Sequence, residues 1–413
     1  MQKWTLFLLF SFLLFDSALG QDRFLTLQSP DSIHGVPRFS TSLGVNMKLN
    51  GYMDIFGGLQ DSETFKVGQI NVFGNDDSKS LHVDMYQTQL KLATTLMLPD
   101  GQRIDALVES DFWGGNGTIR LRRAFVEMSH WQIGQNWHNF GDEVLWPNIM
   151  EWEGPPSGIW LRTPHIKYKN HFQNKQFIYE ISLEAPLSDY NHFGELEPFV
   201  EEAQQFTPDL TFALKNKRSW GHIRLSSVLR YIRYRLQDHN SGFMGYGFSL
   251  SGIYTNALRR NNLQFQLVGG KGITAFMTSI AGQGYDGFPT NDGRFQATPV
   301  YGGWISYEYF FTPTLHGNIV TGYTHFSAQN LSRYLLTPEP ETPEIHLDGH
   351  VQHMHYYGII NLMYDPYERM TIGLELDYGV KDLKADGYVN GTPLSRGKAR
   401  DAMRISFGFM FYF

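Results

Sequence analysis

The chain has 413 residues, no cysteine and a formal net charge of −7 at neutral pH. The lack of cysteine excludes disulfide frameworks and thiolate metal sites, and the mild acidity argues against a nucleic-acid partner. After residue 20 no apolar run approaches the roughly 18 residues that a membrane-spanning helix needs. If the mature chain enters a membrane, it must therefore do so as a closed sheet.

The first 20 residues have the order of a secretory signal peptide. Lys3 supplies the positive charge, an apolar run extends from Trp4 to Phe15, and the small residues Ala18 and Gly20 follow. This order predicts export and removal of residues 1–20. The alternative is a buried amino-terminal helix.

Alternation of apolar and polar residues predicts β-strands along most of the chain. The clearest case is 399–413, where every second residue from Met403 to Phe413 is apolar and the residues between them, such as Arg404 and Ser406, are polar or small. The same period-2 pattern recurs in 45–57, 83–98, 103–112 and 222–232. Strands with one apolar and one polar face predict an all-β protein, a transmembrane antiparallel β-barrel with lipid outside and water inside.

The spacing of the connections predicts the topology. About seven short turns and eight longer loops alternate along the chain and would join about 16 strands, with both chain ends on the short-turn, periplasmic side. We expect residues 21–44 to form a short periplasmic segment and 45–413 to form one barrel domain. The predicted external loops are 58–82, 113–118, 140–161, 187–208, 235–243, 277–298, 328–351 and 381–399.

Five segments carry a family resemblance: VPRFSTSLGVNMKLNGYMDIF, ALVESDFWGGNGTIRLRRAFVEM, IGQNWHNF, GPPSGIWLRTPHIKYK and the terminal alternating strand. They resemble segments of the DcaP-like porins of Gram-negative outer membranes, in the same order along the chain. The resemblance is sharpest over 106–168 and looser over 42–413. It implies a trimeric barrel of about 16 strands that passes small, often anionic, solutes by diffusion. Members of that family often carry a helical extension, which 21–44 lacks because it contains Pro30 and Pro37 and no heptad pattern.

The segment 139–160 is predicted to fold inward and narrow the pore. It is long and rich in Pro and Gly, and a solvated external loop would hardly need three tryptophans. An external cap or a contact between subunits is the alternative. The residues assigned to this constriction are Asp142, Glu143, Glu151, Glu153, Trp146 and Trp152, with Trp160 at the end of the segment.

Arginines on the predicted lumen face suggest the type of solute. Arg123, Arg224, Arg230 and Arg404 have the lumen phase. Arg162 is a further candidate because it lies beside the 139–160 segment, although the alternation of Ile166 and Tyr168 would put it on the lipid side. Guanidinium groups stay charged and bind carboxylates, so a set of them predicts an arginine-lined lumen with mild preference for small anionic carboxylates. The alternative is that each arginine pairs with a lumen carboxylate, namely Glu109, Asp111 or Glu127, and only stiffens the wall.

No catalytic, cofactor or metal site is predicted. The histidines His346, His350, His353 and His355 are interpreted as scattered loop residues. An outer-membrane hydrolase would need a serine such as Ser227 beside a histidine, and no such pair is evident. A structural or adhesive barrel with a plugged lumen remains an alternative to a porin.

The expected partners are outer-membrane lipid, small anionic solutes and two further copies of the chain. Gly51 and Gly57 on the outer face would allow neighbouring barrels to approach closely in a homotrimer. The terminal Phe413 suits recognition by the barrel-assembly machinery of the outer membrane. No nucleic acid is expected.

Overall fold

The computed structural model describes residues 25–59, 63–72, 77, 79–190, 200–236, 239–256, 258, 260–289, 294–335, 345–389, 392–393 and 398–412. The predicted signal peptide and Phe413 lie outside these residues. Within them, no helix is long and apolar enough to cross a membrane.

Sixteen long strands form the body of the described structure. They are β1 Phe39–Phe56, β2 Gln89–Met97, β3 Arg103–Asp111, β4 Arg120–Met128, β5 Trp131–Trp137, β6 Arg162–Phe172, β7 Phe177–Glu184, β8 Asp209–Arg218, β9 Gly221–Leu236, β10 His239–Thr255, β11 Asn262–Lys271, β12 Pro299–Phe310, β13 Leu315–Leu335, β14 Ile345–Tyr367, β15 Met370–Val389 and β16 Lys398–Tyr412. Short strands lie at Leu25–Gln28, Ser32–Ile33, Val36–Pro37, Leu81–Asp84, Val200–Glu202, Gly287–Pro289, Phe295–Ala297 and Thr392–Pro393, and single 3₁₀ turns at Val67–Gln69 and Thr274–Phe276.

The long strands close into one antiparallel barrel. Each pairs with the next along the chain, and β16 pairs with β1 through partners such as Ile405 with Met53. Closure satisfies the backbone groups of every barrel strand, so no sheet edge faces lipid. The predicted antiparallel barrel of about 16 strands is confirmed.

The strand ends differ from the predicted loops in three places. The predicted loop 235–243 is almost entirely strand, because β9 continues to Leu236 and β10 begins at His239. Likewise β13 to β16 extend well into the polar segments 328–351 and 381–399. Paired antiparallel strands satisfy each other's backbone hydrogen bonds, so they can continue beyond the membrane into water. A change to polar residues in the sequence therefore does not mark where these strands end.

The amino-terminal segment adds to the wall of the barrel. Strand β1 begins at Phe39, and Leu25–Gln28 pairs with it in the register Leu27 to Thr41. This short strand lies beside residues 40–43 of β1, which precede Asn46, the first residue of β1 that pairs with β16. The described part of 21–44 is therefore joined to the sheet.

The two faces of the wall differ as the alternation predicted. On β15 and β16, Leu374 and Phe407 are exposed on the outside, whereas Asp377 and Ser406 are buried on the inside and hydrogen-bonded to each other. An apolar outer band suits lipid. Gly51 also faces outward, but the ring of Phe407 lies across it and fills the space that the glycine leaves.

Three long loops fold into the lumen. The 139–160 loop packs with the 272–298 loop in an apolar core that includes Phe140, Ile159 and Phe276. The hydroxyl of Ser279 donates to the carbonyl of Pro156, 2.9 Å away, which joins the two loops.

The 57–80 loop also lies inside the barrel. Its residues Phe65, Val67 and Ile70 are buried against Tyr357 and Ile359 of β14. The sequence predicted this loop and 277–298 as external loops, and inward folding was predicted for 139–160 only. The physical reason that both fold inward is that they carry apolar side chains that need cover from water.

Candidate functional site

The 139–160 loop crosses the lumen from β5 to the opposite wall. Near its start, the Asp142 carboxylate accepts hydrogen bonds from His222 of β9 at 2.7 Å and Ser251 of β10 at 3.0 Å. At its tip, the backbone N–H groups of Met150 and Glu151 donate to the Glu375 carboxylate of β15, at 2.8 and 2.7 Å. The loop is thus anchored on both sides of the barrel.

Further contacts fix the middle of this loop. The carbonyl of Asn148 accepts hydrogen bonds from Asn318 of β13 at 2.9 Å and Asn361 of β14 at 3.0 Å. The backbone N–H of Ile159 donates to Gln266 of β11 at 3.1 Å. With this many wall contacts, the loop is held across the lumen as a rigid partition.

A cavity of about 510 Å³ remains between this loop and the wall formed by β1 to β5 and the end of β16. Its volume is in the range of small-molecule sites. The lining residues are Asn46, Met47, Lys48, Gln87, Gln89, Lys91, Glu109, Arg122, Arg123, Trp137, Glu143, Val144, Trp146, Pro147, Asn148, Ile149, Glu151, Trp152, Met410 and Tyr412.

Three cations on the cavity wall surround one carboxylate. Glu109 of β3 accepts from Arg122 at 2.8 Å and from Arg123 at 2.6 Å, and the Lys91 ammonium lies 3.6 Å away. Arg122 also donates to Asp111 at 2.9 Å. Arg120 also pairs with Asp111, so four cations share two carboxylates and this wall keeps a net positive charge.

A register shift explains why two adjacent arginines both face inward. The pairing of β3 with β4 slips between Glu109 and Ser110, and such a bulge re-aims side chains on the bulged strand. Strict alternation assigned only Arg123 to the lumen, so Arg122 was missed. Its only sequence signal is the doubled Arg122-Arg123 pair beside Arg120.

A lysine on β1 completes the basic lining. The Lys48 ammonium donates to the carbonyl of Met150 at 3.2 Å and therefore contacts the tip of the 139–160 loop. Lys48 has the inward phase in the sequence, although only arginines were predicted as the cations of the lumen. Lys48, Lys91, Arg122 and Arg123 form what we call the basic wall.

Three of the four predicted lumen arginines face inward but do not border the cavity. Arg224 donates to Glu180 at 3.0 Å and to the Asn139 and Gly141 carbonyls. It also borders a second, much smaller space beside Lys167 and Lys215. These bonds hold the start of the 139–160 loop.

The other two are buried among carboxylates. Arg230 donates to Asp286 at 2.7 Å, and Arg404 donates to Asp54 at 2.6 Å. Both are 1% exposed or less. Of the four predicted arginines, only Arg123 lies on the main cavity.

The remaining predicted residues lie around these features. Asp111 is fully buried between Arg120 and Arg122, and Glu127 lies nearer the periplasmic turn, where Gln132 donates to it at 3.3 Å. The Arg162 guanidinium lies 5.0 Å from the Trp137 ring centroid, at the end of β6.

The acidic residues of the 139–160 loop lie in different environments. Burial favours the protonated acid, but Lys215 and the hydrogen bond from His222 hold the pKa of Asp142 well below its usual range. The Glu143 side chain is exposed, and desolvation by the surrounding protein opposes its ionisation, but the nearby Lys167 lowers its pKa. In contrast, burial raises the pKa of Glu151.

Glu153 lies further along the same loop, 3.5 Å from the Lys66 ammonium of the 57–80 loop. It therefore links two of the loops that fold into the lumen.

Tryptophans form a chain through the loop and along the cavity. Trp146 contacts Trp137, Trp152 and Trp160, with ring centroids 6.1, 6.4 and 4.7 Å apart. The Arg122 guanidinium lies 4.8 Å from the Trp152 ring centroid. Trp146 is 39% exposed even though it lies in the centre of the loop. The chain therefore gives the cavity an aromatic side that meets the basic wall where Arg122 lies over Trp152.

The histidines of β14 serve no evident metal site. His353 and His355 are buried on the lumen face with ring centroids 4.5 Å apart. Among the residues that the structure describes, no group of three or more His, Cys, Asp or Glu side chains is placed to hold a metal ion.

A closed sheet of 16 strands, an apolar outer band and a charged lumen narrowed by an inward loop define an outer-membrane β-barrel with the fold of a porin. No protein-family model matches the chain, and no curated protein matches its sequence.

Solved structures with this fold include the outer membrane channel DcaP of Acinetobacter baumannii. It matches with a TM-score of 0.68 at 15% identity, over 94% of this chain and 100% of that one. An anion-selective porin from Comamonas acidovorans matches with a TM-score of 0.55 at 10% identity, over 91% and 100%. OmpT, an outer membrane protein of Vibrio cholerae, matches with a TM-score of 0.51 at 8% identity, over 92% and 100%.

At these identities the likeness concerns the fold. It confirms the predicted fold-level match to DcaP-like porins. The closed 16-strand barrel with its apolar outer band supports the predicted location in the bacterial outer membrane. The structures matched are outer membrane proteins, among them a named channel and a named porin.

Proposed function

We propose that this protein is a porin through which small hydrophilic solutes diffuse across the outer membrane, with mild preference for anionic carboxylates. The observation that carries the proposal is the cavity between the 139–160 loop and the basic wall, within a barrel of porin fold. Diffusion through such a passage needs no catalytic group, cofactor or metal.

The charge of the basic wall supports the anion preference. Lys48, Lys91, Arg122 and Arg123 border the cavity, where low-dielectric walls focus the field of each charge. The acidic residues of the external surface are screened over roughly 8 Å at physiological salt. The cavity charges should therefore dominate permeation although the whole chain is acidic.

This assignment changes which arginines carry selectivity. Arg224, Arg230 and Arg404 are buried in ion pairs and bonds to loop carbonyls, so their charge is largely compensated. We assign them the role of holding the loops in the lumen.

A plugged barrel is the second candidate, and one observation favours it. The 57–80 and 272–298 loops fill much of the lumen beside the 139–160 loop. In that case the protein would be a structural or adhesive barrel, and no ion current would flow through it.

Two partners belong to the proposal. The resemblance of the sequence to trimeric porins supports a homotrimer in outer-membrane lipid. The alternating outer face of β16, which leads to Phe413, supports recognition of that end by the barrel-assembly machinery.

Reversal potentials across a salt gradient in planar bilayers test the anion preference. We expect the wild type to prefer anions and the triple variant Lys48→Met, Arg122→Gln, Arg123→Gln to lose that preference. Arg103→Gln is the matched control, because this half-exposed arginine lies at the periplasmic start of β3. A cation-selective wild type, or a folded triple variant with unchanged selectivity, would refute the proposal.

A further inference from the structure

The cavity has three different surfaces, and their combination restricts the solutes that fit. Trp137, Trp146 and Trp152 form the aromatic side. The basic wall supplies the charged side. Side-chain amides from β1, β2 and the residues just before β2 form the third.

The amide surface contains an unsatisfied polar atom. Gln87 is 1% exposed, and its Nε2 donates to the Tyr52 hydroxyl at 2.8 Å. Its Oε1 is buried and has no hydrogen-bond partner within the described residues. A buried oxygen of this kind costs free energy until a donor reaches it. Asn46 and Gln89 border the same cavity, so the surface can bind several hydroxyl groups.

The charge balance of the lining sets the sign of the ligand's charge. Four cationic side chains, those of the basic wall, border the cavity together with three carboxylates, Glu109, Glu143 and Glu151. Cationic groups are therefore in excess. A carboxylate ligand compensates this positive charge, whereas a neutral ligand does not.

We infer that the cavity binds a cyclic sugar acid. The ring's C–H face packs on the tryptophans, the hydroxyls bond the amides of Gln87, Gln89 and Asn46, and the carboxylate meets the basic wall. A purely aromatic acid fits the aromatic side and the basic wall but leaves the amides unpaired. A neutral sugar leaves the excess charge unpaired. This inference rests on the proposed function and names its solute class.

Block of the ion current measures such binding directly. The probes are galacturonate, galactose and benzoate, added to the wild-type porin in planar bilayers. Galacturonate should half-block the current at a concentration at least about tenfold below that of the other two, because each of them leaves polar groups unpaired. Equal block by benzoate or by galactose would overturn the inference.

Variants test which surfaces of the cavity contribute to binding. Trp146→Leu should raise the half-blocking concentration of galacturonate about fivefold, the scale of one aromatic contact. Gln89→Leu should bring the half-blocking concentration of galacturonate closer to that of benzoate. Trp131→Leu is the matched control, because Trp131 is exposed on the outer face of β5 and should leave the block unchanged. Equal effects of Trp131→Leu and Trp146→Leu would overturn the assignment.

Failure of this inference is distinguishable from failure of the proposed function. If the wild type is anion-selective but none of the probes blocks its current, the sugar-acid inference is wrong and the porin proposal stands. If no current flows, or if it is carried by cations, the proposed function itself is wrong.

Discussion

Arg230 illustrates how a lumen arginine can hold a loop in place. Its guanidinium donates to Asp286 and to the carbonyls of Gly272 and Leu187, at 2.7, 3.0 and 2.6 Å. Asp286 and Gly272 belong to the 272–298 loop, and Leu187 belongs to the 185–208 loop. Without the cation, Asp286 would stay buried without its counter-ion.

The first prediction concerns this ion pair. Arg230→Met should lower the free energy of unfolding by about 3–5 kcal/mol, because it leaves a buried carboxylate uncompensated. Urea unfolding in lipid vesicles measures the change. Arg103→Met removes a half-exposed arginine instead and should cost less than about 1 kcal/mol. Similar losses for the two variants would contradict the role given to Arg230.

The second prediction concerns pH. Asp189 of the 185–208 loop accepts hydrogen bonds from the N–H groups of Gly282 and Gly284, at 2.9 and 2.6 Å. Burial and the neighbouring Asp286 raise the pKa of Asp189 from 3.8 to about 6. The folded state therefore favours the protonated acid. Its contribution to stability is fully present below pH 3.8 and is lost as the pH rises through about 6.

Hydrogen exchange measures this dependence at the two glycines. Their protection factors, corrected for intrinsic exchange, should fall between pH 4 and pH 7 in the wild type. Asp189→Asn keeps the side chain neutral, so its protection should stay level over the same range. Protection that increases with pH in the wild type would show that the sign is wrong.

The residue-level prediction from sequence succeeded where strands alternate regularly. The inward phase of Arg224, Arg230 and Arg404 followed directly from the period of 2. It missed Arg122, because a bulge shifts the phase within β4. It also gave no information on exposure, since the loops that cover these arginines come from distant parts of the chain.

At the level of elements, the 139–160 loop determines the width of the passage. Residues 143–152 lie between the cavity and the far wall, and the bonds to Glu375 hold the loop tip there. Its tryptophans and Pro-Gly content distinguished it in the sequence from the other loops. The 57–80 and 272–298 loops were not distinguished, because hydrophobic residues in a loop do not reveal which surface will cover them.

The third prediction follows from this position. Replacing 143–152 by a short Gly-Ser linker should raise single-channel conductance and weaken anion preference, because a wider, wetter passage screens the basic wall. Shortening the 114–117 turn on the outside should change neither quantity. An unchanged conductance after the first replacement would mean that the loop does not limit the passage.

At the level of the whole molecule, the barrel could be predicted because lipid requires one apolar face on every strand. The filling of the lumen could not, because it depends on contacts such as Ile149 with Tyr357 and Ile359 between residues far apart in sequence. Assembly is likewise not visible in a single chain. Gly51 gives no open groove for a neighbour, since Phe407 covers it.

The fourth prediction is a trimer. Exposed aliphatic residues on the outer face near the first strands, Leu81, Val83, Ile119 and Leu121, could be covered by a neighbouring barrel. Native mass measurement in mild detergent should give three copies. Changing Leu81 and Val83 to Lys should shift the mass to one copy, whereas the same change at Leu225 and Leu229 of β9, on the opposite side of the barrel, should not. A folded wild type that stays monomeric would exclude the trimer.

Single-channel recording of the purified wild-type barrel tests the central claim most directly. The cavity beside the 139–160 loop and its basic wall predict discrete conductance steps, with a reversal potential in a salt gradient on the anion-selective side. A folded barrel that inserts into the bilayer but gives no steps would show that the inward loops plug the lumen, and would contradict the proposed passage.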